Sequence, residues 1–187
     1  MPDQLYLSLW FRDYTPDNML DYFEQLLRLF PFSNIRPGIA GLKIYALEYA
    51  EPPALEHAFA GETDAETVAG MCGEFENPDS AYIVDAWWDL FKYNGAWQLT
   101  PSRVSLTCYG PEFENDERDH LRIDFGPDAE YLPRPDLPDS ARAMQSNLTS
   151  VLRLVSDLEE VLPIERKKLW SEGEENFAER LESAFDE

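Results

Sequence analysis

Positive charge is scarce in this chain. Fifteen Lys and Arg stand against 37 Asp and Glu in 187 residues, a formal charge of −22 at pH 7. The imbalance is sharpest between residues 44 and 91, where eleven carboxylates occur without a single Lys or Arg. Such a field repels nucleic acid and anionic membrane, which need a basic groove or patch for recognition. It draws in basic proteins, polyamines and divalent cations instead. Nucleic acid and membrane are therefore not expected as partners, and a basic protein is. Self-repulsion has to be outweighed by the core, so stability is expected to respond to salt.

Residues that carry chemistry are also few. Cys72 and Cys108 are the only cysteines, neither in a CxxC pair and each within an apolar pattern, which points to buried reduced thiols rather than a disulfide framework. His57 and His120 stand alone, with no HExxH or other zinc spacing. Nine glycines form no GxGxxG or phosphate-cradling loop, and no GxSxG occurs. The oxygen-rich loop at residues 112–119 lacks the alternating ligands and central glycine of a calcium loop. No cofactor and no metal are expected. Long apolar runs are missing: the longest, around residues 5–11, falls far short of the ~20 residues a membrane span needs. The first residues, Met1-Pro2-Asp3-Gln4, have neither the basic nor the apolar region of a signal peptide, so a cytoplasmic protein is expected.

What is abundant is apolar side chain. The chain is 44% hydrophobic, with eleven Phe, nine Tyr and five Trp, too apolar for disorder and long enough for one real core. Leu5, Leu7, Leu9 and Phe11 alternate as in a strand. Thr15-Pro16-Asp17 then starts a helix over 16–30 with apolar residues at helical spacing, ended by Pro31. A strand over 42–49 follows the Pro37-Gly38 turn, and Thr63-Asp-Ala-Glu66 reads as a capping box for a short helix. Tyr82, Val84, Ala86, Trp88 and Leu90 form one face of a long strand that turns at Asn94-Gly95, the preferred two-residue hairpin turn. With that turn the apolar faces fall out of step. One extra residue near Thr100-Pro101 restores the pairing of Ala86 with Val104 and of Val84 with Leu106, so a β-bulge is expected there. Leu121, Ile123 and Phe125 give a third strand across an acidic loop at 110–119, and a long helix from Asp139 or Ser140 ends at Pro163.

The order β-α-β-α-β-β-β-α-α makes the class α+β, a mainly antiparallel sheet with helices packed on one face. Residues 1–162 read as a single domain. Residues 163–187 read as an acidic amphipathic helical segment, with Leu169, Trp170, Phe177, Leu181 and Phe185 as its apolar stripe, docked on the domain or reaching for a partner.

The inferred register places Asp85, Trp87, Asp89, Arg103, Ser105, Thr107, Tyr109, His120, Arg122 and Asp124 on the outer face of the sheet. Trp87 would lie beside Arg103, Asp85 beside Ser105, Ser105 beside Asp124, Thr107 beside Arg122 and Tyr109 beside His120. Opposite charges and an Arg–Trp stack are ordinary stabilisers of a solvated face, and they are equally the material of a polar ligand groove. Two functional readings follow. The first is a non-enzymatic protein that binds a basic macromolecule, by the charge physics that acidic inhibitors and immunity-type proteins use. The alternative is an anionic-ligand binding protein or enzyme in which Arg103 and Arg122 converge with Asp85, Asp124 and His120 on the outer face.

Overall fold

The structure is a computed structural model that describes residues 2–173 together with Phe177 and Glu179. Its elements are β1 (Gln4–Phe11), α1 (Met19–Leu29), β2 (Ile39–Ala46), β3 (Leu55–Ala58), α2 (Ala65–Gly73), β4 (Ser80–Tyr93), β5 (Trp97–Tyr109), β6 (Leu121–Pro127), a 3-10 turn (Asp128–Glu130), α3 (Ser140–Val161) and β7 (Ile164–Ser171). The seven strands form one antiparallel sheet in the order β3-β2-β4-β5-β6-β1-β7. The α+β class is thus observed, with the helices packed against the sheet. Among the described residues, no helix is long and apolar enough to cross a membrane.

Strict alternation in β4 organises the core. Tyr82, Val84, Ala86, Trp88 and Leu90 are all buried and point to one face, while Ile83, Asp85, Trp87 and Asp89 point to the other. The inward set meets Val104, Leu106 and Cys108 of β5, Leu121, Ile123 and Phe125 of β6, and Leu5, Leu7, Leu9 and Phe11 of β1. Onto the same cluster fold Phe23, Leu26 and Leu27 of α1, Val68 and Cys72 of α2, and Val151, Leu154 and Leu158 of α3. Trp88, only 1% exposed, stands at its centre with ring centroids 5.6 Å from Phe30 and 5.0 Å from Phe125. Cys72 and Cys108 are free, buried thiols, and burial pushes each up to about 12.

The hairpin departs from expectation in one respect. Ala86 faces Val104 and Val84 faces Leu106, but the register runs without interruption from Ala81↔Tyr109 to Tyr93↔Trp97. No bulge lies at residues 100–102. The extra residue sits in the turn, a three-residue loop of Asn94, Gly95 and Ala96 in which Gly95 takes φ +77°. A longer loop moves the register by the same single step as a bulge, and it leaves the ladder intact.

The segment after Pro163 is corrected as well. Residues 164–171 form not a helix but β7, paired along β1 from Leu5↔Ser171 to Phe11↔Ile164. Leu169 joins the core, and Ser171 donates to the buried Asp128 carboxylate at 2.7 Å, which pins the end of the strand. Phe177 is helical and buried in the core; Leu181 and Phe185 lie outside the described residues. A short strand, β3, appears where a connector was expected, and β2 begins at Ile39. Helix caps shift by a residue or more: Asn18 rather than Thr15 precedes α1, and Asp64 rather than Thr63 caps α2, accepting from the Thr67 amide.

Strand β2 leaves the side of β4 at Ala86, so backbone groups further along need other partners. The Ser33 amide donates to the Trp87 carbonyl. The Asn147 side chain of α3 accepts from the Phe91 amide at 2.8 Å and donates to the Phe91 carbonyl at 3.0 Å and the Glu130 carbonyl at 2.8 Å. One amide, 1% exposed, thereby completes three backbone groups and fixes α3 on the sheet. Asn147→Ala should cost roughly 2–4 kcal/mol in chemical denaturation, because all three groups lose a partner in a site shielded from water. Ser146→Ala, on the exposed side of the same turn, should stay within about 0.5 kcal/mol.

Candidate functional site: the open sheet face and the acidic loop end

The helices build onto the inner face, which leaves the outer face of the sheet free of helices; at the Tyr109 end Phe113 and Tyr49 of the loops cover it. The register sets Trp87 opposite Arg103, Asp85 opposite Ser105, Ser105 opposite Asp124 and Thr107 opposite Arg122. Asp85 accepts from the Arg103 guanidinium at 3.0 Å and from the Ser105 hydroxyl at 2.6 Å. Trp87 lies under the Arg36 guanidinium at 4.0 Å. Asp89 turns to the loop before β2 and accepts from Ser33 and from the Asn34 amide. Asp124 accepts from the Gly126 amide at 2.8 Å. Arg122 donates twice to the buried Asp119 carboxylate, both at 2.8 Å, and sits among the rings of Tyr6, Tyr109 and Trp170. Tyr109 is buried against Phe113 of the 110–119 loop.

His120 does not share this face. Its carbonyl accepts from the Tyr109 amide, but the ring turns to the end of the sheet and stacks on Tyr14 at 4.0 Å. Nδ1 accepts from the Phe11 amide, so the ring is held as the neutral Nε2–H tautomer, and burial lowers its pKa further. Arg103, Arg122, Asp85, Asp124 and His120 therefore do not converge on one point. Arg103 pairs with Asp85 and Arg122 with Asp119, while Asp124 and His120 accept from backbone amides of Gly126 and Phe11. Two shallow depressions flank Arg103, one of about 450 Å³ beside Gln4, Trp87 and Asp124, the other of about 210 Å³ beside Lys43, His57 and Asp85.

Several residues of this face arrive from places the sequence reading did not supply. Because β7 is a strand, Trp170 packs on Tyr6 with centroids 4.6 Å apart, Arg166 lies 4.3 Å over Trp10, and Lys168 pairs with Glu117 at 2.9 Å. With Lys43 bridged to Glu56, the cations here are Arg36, Lys43, Arg103, Arg122, Arg166 and Lys168. Facing them are Glu56, Asp85, Asp89, Glu117, Asp119, Asp124 and Glu172. Six cations against seven carboxylates leave the face nearly neutral in a chain of −22.

The negative charge gathers elsewhere. At the end of the sheet where β2 and β5 finish and β4 begins, three loops meet. The Leu47 amide donates to the Asp79 carbonyl, the Gly110 amide to Ser80 and the Glu112 amide to Pro78. Gly110 permits this approach, since a Cβ there would sit 2.2 Å from the Pro78 carbonyl oxygen. Tyr49 closes the cluster edge-on against Phe113. The loops at 47–54, 74–79 and 110–119 present Glu48, Glu51, Glu74, Glu76, Glu112, Glu114 and Asp116, all exposed. Among those carboxylates lie apolar side chains open to solvent: Leu47 at 64%, Tyr49 at 46% and Phe75 at 39%. Leu47 also holds φ +68°, a conformation unusual for a branched residue. Among the described residues, no group of three or more His, Cys, Asp or Glu is placed to hold a metal ion.

Comparison with known protein families, with characterised proteins and with solved structures returns no match.

Burial raises the Asp124 carboxyl above its usual range; the Gly126 amide and the Arg122 charge oppose this, and the nearby Glu172 and Asp85 charges add to it. The folded chain therefore holds that proton more tightly than the unfolded one, which costs stability at neutral pH. The cost disappears below the unfolded pKa of about 3.9. Asp124→Asn, which keeps an acceptor for Gly126, should raise the melting temperature at pH 7 by about 1–3 °C. The gain should shrink to nothing on acidification through that range. A constant gain at every pH would mean that the carboxylate charge is not its source.

Proposed function

We propose that this is a non-enzymatic binding protein of the cytoplasm whose partner is a basic protein, in the manner of acidic inhibitors and immunity-type proteins. The observation that carries the reading is the acidic loop end. Three loops distant in sequence meet there, and they carry seven exposed carboxylates together with the exposed Leu47, Tyr49 and Phe75. An apolar centre within a charged rim is the anatomy of a protein interface, and aromatic side chains are its usual anchors. Steering by the surrounding field then raises the rate of encounter more than it lengthens the life of the complex.

The alternative, an anionic small molecule held on the outer face, has less support. Arg103 and Arg122 already serve Asp85 and Asp119, and the overall charge opposes an anion's approach.

The test uses the intact chain as bait at low salt, followed by association kinetics with the basic protein retained. The on-rate should fall at least about tenfold between low and high salt. Reversing Glu48, Glu76 and Glu112 to Lys should slow association further, whereas Asp157→Lys on the exposed side of α3 should have little effect. An on-rate indifferent to salt and to the triple reversal would leave the charge as a solubility device only.

A further inference from the structure

The outer sheet face carries almost no net charge in a chain of −22. It is also the most aromatic, with Tyr6, Trp10, Trp87 and Trp170 each half-buried beneath a cation of the same face. Arginine and tryptophan are the residues most enriched at the energetic centres of interfaces. At about 4.8 Å between strands and about 3.3 Å per residue, the six longer strands span roughly 29 Å by 23 Å, or about 650 Å² including the end that Phe113 covers. A standard interface uses about 800 Å² per partner, so the face is of the right order.

We propose that this face packs against the same face of a second copy of the chain, sheet on sheet. Charge decides the occupant. Two copies approaching through the acidic loop end would set carboxylates against carboxylates, while these faces bring cations and anions in nearly equal number to each other. A two-fold axis lets such a mixed surface complement itself, because each cation–carboxylate contact made between the copies occurs twice, residue i meeting j and j meeting i. Association through the sheet edges is blocked. Strand β3 is only four residues long, and β7 carries Arg166, Lys167 and Lys168 together, which would repel a second β7. Side chains of the two faces would interdigitate at the spacing of a β-sandwich, about 10 Å between sheets. This inference is independent of the basic-partner reading, which uses the loop end.

The remaining charge of each copy opposes the contact at long range, so the dimer should be strengthened by salt, the opposite sign from steered binding of a basic protein. Sedimentation equilibrium of the full chain, from about 5 μM to about 500 μM and from about 50 mM to about 500 mM salt, reads this directly. The expected result is a monomer–dimer equilibrium that shifts toward dimer as salt rises. Trp87→Glu should return the chain to monomer at least tenfold higher in concentration. Arg103→Glu provides the second variant should the first fail to fold, since its side chain is 64% exposed and contributes nothing to the core. Glu66→Lys on α2 should not weaken the dimer. A chain that stays monomeric throughout, as it would with a basic partner seated on this face instead, overturns the proposal. So does a dimer that survives both variants or weakens with salt.

Discussion

The alternation of β4 is the constraint on which the rest of the structure depends. Five inward side chains from Tyr82 to Leu90, with Trp88 at the centre, fix which face of the sheet is buried. A one-residue slip in register would send every one of them to the solvent side. Because β4 is paired on both flanks, its choice of face propagates to β2 and β5, then through β6 to β1 and β7. The helices follow. Each presents its apolar stripe to the same cluster, and Asn147 ties α3 to the stretch of β4 that β2 does not reach. A single core of this kind is what offsets the self-repulsion of a chain at −22.

One-sided burial also sorts the charge. Cations are few, and six of them lie on or over the open face, each against a carboxylate or above an aromatic ring. Carboxylates without such partners are left to the loops and helix surfaces, and the topology brings three acidic loops to one end. The result is a molecule with a nearly neutral sheet face and a strongly negative end beside it. Binding at the first would depend on contact chemistry and at the second on long-range field, and salt separates the two by sign.

Much of the fold was legible because its signals are local and periodic. The inward faces of β1, β4, β5 and β6 alternate cleanly, and α1 and α3 carry helical stripes. The pairing of Ala86 with Val104 could be inferred from matching apolar faces even though the extra residue was placed at Pro101 rather than Ala96. Strand β7 was hidden for a physical reason. An edge strand with Glu165, Arg166, Lys167 and Lys168 in succession has no apolar alternation, and Leu169, Trp170 and Phe177 mimic a helical spacing across two separate elements. Losing β7 meant losing Trp170, Arg166 and Lys168 from the outer face. His120 was misplaced on that face because it precedes the strand and its ring is drawn away by Tyr14 and the Phe11 amide. The acidic loop end was invisible in sequence, since nothing local says that Leu47 and Glu112 both meet the 78–79 turn.

Two adjacent tryptophans face opposite ways, Trp88 into the core and Trp87 onto the outer face of the sheet. Hydroxyl-radical footprinting of the dilute chain, read residue by residue by mass spectrometry, addresses that claim most directly. Trp88 should remain unmodified while Trp87 oxidises at a rate comparable with Trp10 and Trp170. Equal protection of Trp87 and Trp88, or a reactive Trp88, would mean that the outer face is covered or that the register of β4 is wrong.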